Sequence, residues 1–122
     1  MSKRILSVSY DGVLLATREM LLEQRGYSVV SALGFTDSVK HCQSKDHFDL
    51  FILGHSIPDN DKLHLMKTFR EHCAGPIVSL ERPGEEHVPS DFHASPDNPE
   101  QFLQVVDDIL AGREQRSRQR QA

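Results

Sequence analysis

The chain has 122 residues, of which 38% are hydrophobic and 26% are charged, as expected for one globular domain with a single core. Its formal net charge is −4, from 14 lysines and arginines against 18 aspartates and glutamates. This balance argues against a general nucleic-acid binder, which is normally basic. No stretch approaches the ~18 consecutive apolar residues of a membrane span, and Asp11 interrupts the first apolar run, so a signal peptide is not indicated. We therefore expect a cytoplasmic protein without a membrane partner.

Along the first half of the chain, short apolar runs typical of buried strands alternate with stretches of helical spacing. The predicted strands are Ile5–Val8, Tyr27–Ala32 and Leu50–Leu53. The first predicted helix carries leucines on one face between Leu14 and Leu22 and stops at Gly26. A shorter second helix is predicted from a cap at Thr36 to about Ser44.

The second half of the chain continues this alternation. Pro58 starts a helix that ends at Gly75. The apolar positions of this helix are Leu65, Met66, Phe69 and Cys73. A fourth strand is predicted over Pro76–Leu80, and the segment DFHA at 91–94 is assigned to a fifth strand because the alternation requires one.

The last helix has the clearest signals of all the predicted elements. Asn98 is a favourable cap, and Pro99 occupies the first helical position. Its apolar stripe consists of Phe102, Val105, Val106, Ile109 and Leu110. Gly112 is predicted to end the helix and the domain, which spans 1–112. The remaining residues, 113–122, carry four arginines and no apolar anchor, so they are predicted to form a mobile tail.

Strands that alternate with helices indicate an α/β fold in which a parallel sheet is covered on both faces, a three-layer sandwich. Between the fourth strand and the last helix, Pro83, Gly84 and Pro89 disfavour a full helix, so that helix is predicted to be shortened or missing. Ligands of such sheets bind beyond the carboxyl ends of the strands. The residues predicted at this rim are Ser9, Tyr10, Asp11, Gly54, His55, Glu81 and Ser95.

The order and spacing of several segments resemble a response-regulator receiver domain, from residue 3 to about residue 111. The segments are KRILSV, LLEQRGYSVVSA, FDLFIL with the following IPDND, GPIVSL and SPDNPEQFLQVV. The resemblance implies a flavodoxin-like fold whose five-stranded parallel sheet has the order 2-1-3-4-5. It also implies two-component (phosphorelay) signalling, in which a histidine kinase phosphorylates an aspartate of the receiver and an acidic pair binds Mg²⁺.

The phosphorylation chemistry of that family does not carry over to this sequence. The phosphoacceptor position, four residues before Pro58, falls on Gly54, which has no side chain to phosphorylate. The acidic pair falls on Ser9 and Tyr10, with Asp11 just beyond. Because Mg²⁺ needs carboxylate oxygens, its binding is predicted to be lost or weak, and no other cofactor is predicted.

Two of the three remaining family positions are also replaced in this sequence. The switch hydroxyl falls on Glu81 and the lysine on Ser95, while Phe92 matches the switch aromatic. Without an acidic cluster, a lysine at 95 would be a partly buried cation without a partner, a costly arrangement that serine avoids. Glu81 has two interpretations: a carboxylate that mimics a phosphorylated aspartate, or an exposed glutamate at the start of a loop.

Two polar residues of the rim and two acids that follow Pro58 permit a different kind of site. Asp11, His55, Asp59 and Asp61 would be the residues of a replacement metal or acid–base site, with His55 also a candidate phosphoryl acceptor. The structural interpretation is that Asp11 begins a turn, Asp59 and Asp61 favour the positive end of a helix, and His55 faces solvent.

The two cysteines, Cys42 and Cys73, do not make a disulfide framework. Each falls within a predicted helix, and we interpret both as small apolar core residues.

We therefore predict a degenerate receiver that is not an enzyme and acts through phosphorylation-independent contact with a protein. The partner is a histidine kinase, a regulator, an effector or a second copy, and the outer side of the Asn98–Leu110 helix is a candidate contact surface. Two alternatives stay open: a small-molecule or metal-sensing module that reuses the rim, and the receiver part of a longer transcriptional regulator. The arginines of 113–122 leave contact with nucleic acid or an acidic partner as a further hypothesis.

Overall fold

The computed structural model describes residues 2–44, 46–85 and 88–121, with 113–121 described by their backbone alone. Five strands alternate with four helices along the chain. They are β1 (Arg4–Ser9), α1 (Gly12–Gln24), β2 (Ser28–Leu33), α2 (Phe35–Gln43), β3 (Leu50–Leu53), α3 (Asp59–His72), β4 (Ile77–Leu80), β5 (Phe92–Ala94) and α4 (Pro99–Gln121). Within the described residues, no helix is both long enough and apolar enough to cross a membrane.

The five strands form one parallel sheet of order β2-β1-β3-β4-β5, which confirms the predicted architecture. The central strands β3 and β4 are buried along their whole length, as continuous apolar runs in a doubly covered sheet should be. The short strand β5 is confirmed at the edge next to β4.

Each face of the sheet has its own hydrophobic core. On one face, Leu53 and Ile77 of the sheet pack with side chains such as Phe69 that come from α2, α3 and the neighbouring loops. On the other face, Ile52 and Val78 pack with side chains from α1 and α4. The two cores hold the carboxyl ends of β1, β3 and β4 side by side, and this edge is where the predicted rim residues meet.

The helix starts are set by local hydrogen bonds. Asp11 caps α1 by accepting from the backbone N–H groups of Val13 and Leu14 at 2.9 and 3.2 Å. The cap predicted at Asn98 is confirmed, because its side chain accepts from the N–H of Gln101 at 3.1 Å. The prediction for α2 was wrong: Gly34, with a φ of 90°, precedes the helix, and Thr36 lies inside it.

No helix lies between β4 and β5 in the described residues of this connection, 81–85 and 88–91, as predicted. The segment instead turns at Gly84, whose φ of 90° suits glycine. Phe92, at the start of the edge strand β5, is 40% exposed.

The predicted end of α4 at Gly112 was wrong, because the helix continues to Gln121. A single glycine inside a helix costs only about 1 kcal/mol. The residues that follow it are mainly Arg, Gln and Glu, which are good helix formers. The side chains of 113–122 lie outside the described residues, so the predicted mobility and partner contacts of this tail stay predictions.

The prediction for the cysteines was also wrong, since Cys42 and Cys73 form a disulfide. Cys42 lies near the end of α2, Cys73 directly follows α3, and their Cα atoms are 5.9 Å apart. Helices α2 and α3 pack on the same face of the sheet, and this tertiary contact brings together two residues that are 31 positions apart. Spacing along the chain gives no indication of such a contact.

Candidate functional site at the carboxyl edge of the sheet

The position predicted for a phosphoacceptor is filled from another element. Gly54 is buried at the end of β3, and its N–H donates to the carbonyl of Val8 at 2.9 Å. A Cβ atom at position 54 would lie 2.9 Å from Nη2 of Arg18 and 3.1 Å from the Val8 carbonyl oxygen. Any side chain at this position therefore requires Arg18 to move. The glycine makes room for a guanidinium.

Arg18 reaches this place from the second turn of α1 and is only 7% exposed. Its Nη1 donates to the hydroxyl of Ser7 at 3.1 Å and to the carbonyl of Val8 at 3.2 Å. Burial lowers the pKa of Arg18 to about 10, so the guanidinium stays charged at neutral pH. No carboxylate of the described residues forms an ion pair with it.

A second buried cation approaches the same edge from the opposite face of the sheet. Lys62 of α3 is 2% exposed, and its Nζ donates to the hydroxyl of Ser79 at 2.9 Å and to the carbonyl of Leu80 at 3.0 Å. Burial lowers the pKa of Lys62, and the carboxylate of Glu81 opposes this shift. This edge therefore carries two buried positive charges.

The positions of the predicted acidic pair form a network of hydroxyl and amide groups. The Ser9 hydroxyl lies 3.1 Å from the hydroxyl of Ser56 and accepts from the N–H of Asp11 at 3.0 Å. Ser56 also accepts from the N–H of Tyr10 at 3.1 Å. These contacts join the end of β1 to the loop after β3 without any carboxylate between them.

The nearby carboxylates that could have formed a replacement site, Asp11 and Asp61, already accept hydrogen bonds within the protein. Asp11 caps α1, and Asp61 in the first turn of α3 accepts from the Tyr10 hydroxyl at 2.8 Å. Burial and the carboxylate of Asp61 together raise the pKa of Tyr10 to about 12, which keeps the phenol protonated. For these residues the structural interpretation of the sequence fits better than a replacement acid–base site.

This donor set does not suit Mg²⁺. A hard cation needs several carboxylate or carbonyl oxygens, whereas this edge offers hydroxyl groups beside the charges of Arg18 and Lys62. Within the described part of the chain, no group of three or more His, Cys, Asp or Glu residues is placed to hold a metal ion.

The interpretation of Glu81 as an exposed residue at the start of a loop was wrong. It is 6% exposed, so it is not a solvated loop residue. One carboxylate oxygen accepts from the N–H of Val88 at 2.9 Å, and the other contacts Nδ1 of His93. These contacts tie the loop after β4 to β5. Mimicry of a phosphorylated aspartate by Glu81 stays a hypothesis.

The remaining predicted positions are His55, Ser95 and Phe92, and the first two line one cavity. His55 is half-buried, and its pKa is lowered by burial and by the positive charges of Arg82 and Arg18. Ser95 follows β5, donates its N–H to Gln101 at 3.1 Å and accepts from Asp97 at 3.2 Å. His55 and Ser95 both line a cavity of about 110 Å³ together with Arg18. Phe92 lies outside this cavity.

Solved structures show what this arrangement of strands and helices resembles. A response regulator receiver domain protein from Methanospirillum hungatei JF-1 is 22% identical, with a TM-score of 0.75 over 95% of this chain and 99% of the other. A two-component response regulator from Clostridium difficile is 23% identical, with a TM-score of 0.78 over 90% and 97%. The N-terminal domain of a response regulator/sensory box/GGDEF 3-domain protein from Carboxydothermus hydrogenoformans is 18% identical, with a TM-score of 0.79 over 94% of this chain and 99% of the other. The chain has the receiver fold.

The support for this receiver fold is structural. No protein-family model matches the chain, and no curated protein matches it in sequence. At identities of this size, the solved structures establish the fold and leave the activity to be argued from the residues of the site.

The sequence analysis missed the two cations that occupy this edge of the receiver fold. Arg18 lies four residues after Leu14 and four before Leu22, in the middle of the apolar face of α1. Lys62 lies four residues before Met66, on the apolar face of α3. A charged residue at a core position of a helical stripe was the available signal, because such a residue must be buried or must distort the packing.

Proposed function

We propose that this chain is a degenerate receiver domain that acts in two-component signalling by contact with another protein. It does so without Mg²⁺-dependent aspartyl phosphorylation, and it is not an enzyme. The observation that carries this proposal is the position of the Arg18 guanidinium, 2.9 Å from where the Cβ of a phosphoacceptor at Gly54 would begin.

Electrostatics at the edge of the sheet supports the loss of phosphorylation. A receiver that accepts a phosphoryl group needs a carboxylate nucleophile and a bound divalent cation. Here the Arg18 guanidinium lies at that place, and Lys62 lies at the same edge with the carboxylate of Glu81 close enough to act on it; both cations repel a divalent cation. The carboxylate of Asp11 is engaged in capping a helix. We therefore propose that Mg²⁺ binding is lost or weak.

The partner surface that we propose lies beside β5 and α4. An open hollow of about 720 Å³ between these elements is lined by Phe92, His93, Val105 and Ile109, among others. The outward face of α4 is polar, with Gln104 and Asp108 exposed. The absence of a helix between β4 and β5 in the described residues leaves this side of the sheet uncovered, so a protein partner has room to bind there.

The phosphorylation part of the proposal is tested by mass. The protein is incubated with Mg²⁺ and acetyl phosphate, and its intact mass is measured at once. We expect no phosphoryl adduct and no Mg²⁺-dependent change in the amide NMR spectrum near Gly54. A phosphoryl adduct that forms on the unmodified protein would refute the proposal, and its position would identify the acceptor.

The contact part is tested with a photo-crosslinking residue placed at exposed positions. Asp108 on α4 is the test position, and Glu23 on α1 is an exposed control on another surface. We expect a defined crosslinked protein, or a crosslinked dimer of this chain, from position 108 alone. Equal crosslinking from both positions would contradict a specific surface at α4.

A cytoplasmic site of action belongs to this proposal, and it conflicts with the disulfide. Cytosolic thiol systems keep most cysteines reduced, so Cys42 and Cys73 would be thiols there for much of the time.

Of the alternatives left open by the sequence, the small-molecule site has an observation in its favour, the cavity beside Arg18.

A further inference from the structure

The guanidinium of Arg18 has donor groups left over after its contacts with the protein. Its two hydrogen bonds, to Ser7 and Val8, both come from Nη1. In the described part of the chain, Nε and Nη2 have no hydrogen-bond acceptor. A buried charge without an ion-pair partner is costly, so it needs a compensating interaction.

The cavity of about 110 Å³ lies next to this charge. It opens between α1, the ends of β3 and β4, and the loop that leads into α4. Among the described residues that line the cavity, Arg18 carries the only full charge and none is a carboxylate. An anion that entered would therefore meet a fixed positive charge inside the cavity, with the nearest opposing carboxylates, Glu85 and Asp97, outside the lining but close enough to act on His55.

Two further polar groups belong to residues that line the cavity. Nδ1 of His55 is buried and has no hydrogen-bond partner among the described residues. The Ser95 hydroxyl accepts from the N–H of Asp97, which leaves its own O–H free to donate. The cavity thus combines the fork of a guanidinium with the Ser95 hydroxyl and with the imidazole of His55, and this set matches the oxygens of an anion when the His55 proton is on Nδ1.

The rest of the wall determines what kind of anion fits. The side chains of Leu14, Leu80 and Phe102 face the cavity, and Pro96 and Pro99 close one side. A fully hydrated ion such as phosphate gains nothing from apolar walls, whereas a short hydrocarbon chain does. A volume of about 110 Å³ accommodates a molecule of a few carbon atoms.

From this geometry we propose that the cavity beside Arg18 binds a short-chain monocarboxylate. The carboxylate lies against the guanidinium and accepts from the Ser95 hydroxyl. It also accepts from Nδ1–H of His55 once that ring turns toward it, and the alkyl chain packs on Leu80 and Phe102. This site does not depend on the protein partner proposed above, so either proposal can fail without the other.

The test compares three small molecules on the unmodified protein at constant pH and ionic strength. Sodium butyrate, its neutral amide butyramide and inorganic phosphate are titrated separately, and amide NMR shifts are followed at Gly54, His55 and Ser95. Butyrate is expected to give saturable shifts, and butyramide to bind at least ~10-fold more weakly because it lacks the charge. Equal binding of butyrate and butyramide, tighter binding of phosphate, or no saturable shift would overturn the proposal.

Two variants then locate the site. Arg18→Met removes the charge and keeps most of the side-chain volume, so butyrate should bind roughly 10- to 100-fold more weakly. Arg70→Met, which removes an exposed arginine on α3, is the matched control and should leave binding unchanged. Undiminished binding to a folded Arg18→Met protein would refute the assignment. If that variant does not fold, the comparison of butyrate with butyramide still decides the question.

Discussion

The disulfide between Cys42 and Cys73 should make a large contribution to stability, although each cysteine was expected to be only an apolar core residue. The bond closes a loop between residues 31 positions apart, and this restricts the unfolded chain. The chain-entropy estimate for a loop of this size is about 3–4 kcal/mol. For a domain of this length, such a loss lowers Tm by about 10–15 °C.

Two independent perturbations test this estimate. Thermal unfolding is followed by circular dichroism for the unmodified protein with and without a reductant, and for the Cys42→Ala/Cys73→Ala double variant. Alanine is chosen because Cys42 is 2% exposed and a serine there would bury a hydroxyl group without a designed partner. Reductant should lower the Tm of the unmodified protein and leave that of the double variant unchanged.

The reasoning fails if the reductant leaves Tm of the unmodified protein unchanged. A direct check is alkylation of the unreduced, denatured protein followed by intact mass, which should show no modified cysteine. Two alkylated cysteines in protein prepared without reductant would show that the thiols are free and that the loop-closure estimate does not apply.

Three further predictions concern single side chains. Both tyrosines of the chain, Tyr10 and Tyr27, have a pKa raised above 10.0, so ultraviolet titration should show phenol ionisation above that value in the folded protein and near it after denaturation. The folded pKa of each tyrosine exceeds the unfolded pKa, so its contribution to stability is complete below pH 10. That contribution is lost as the pH rises through the folded pKa, which is near 12 for Tyr10. A single ionisation midpoint at pH 10 in the folded protein would contradict this. Asp11→Ala should lower the free energy of unfolding in urea by about 1 kcal/mol through the lost cap, while Asp11→Asn should change it little; equal losses would argue against capping. Glu81→Ala should lower the free energy of unfolding by about 1–3 kcal/mol because the buried N–H of Val88 loses its acceptor. Glu81→Gln should retain most of that stability, and an equal loss in both variants would contradict a role for this hydrogen bond.

The alternation of strands and helices was predictable because it depends on local patterns. Buried strands such as Leu50–Leu53 read as continuous apolar runs, and the start of α4 at Pro99 follows from cap chemistry at Asn98. The order of the strands came from a resemblance to a known family, and the topology confirms it. The end of α4 was missed because a glycine only weakens a helix and does not determine where it stops.

What the sequence did not reveal depends on contacts between elements. The vacancy at Gly54 was recognised, but its occupant comes from α1, 36 positions earlier in the chain. Glu81 was placed correctly at the end of β4, yet its partners Val88 and His93 are fixed by the path of a loop that has no regular pattern. In each case the sequence identified the residue, but it did not identify the neighbouring side chain or backbone group that determines its role.

The close approach of Arg18 to Gly54 determines what an aspartate introduced at that position could do. It would meet a guanidinium at once and form an ion pair with it. Its carboxylate would then be neutralised, with Ser9 and Tyr10 still unable to hold a cation beside it. A phosphoacceptor at position 54 would therefore require Arg18 to be replaced and an acidic pair to be built in the same protein. A single substitution at Gly54 would supply neither, so the packing around this glycine makes the site depend on several positions at once.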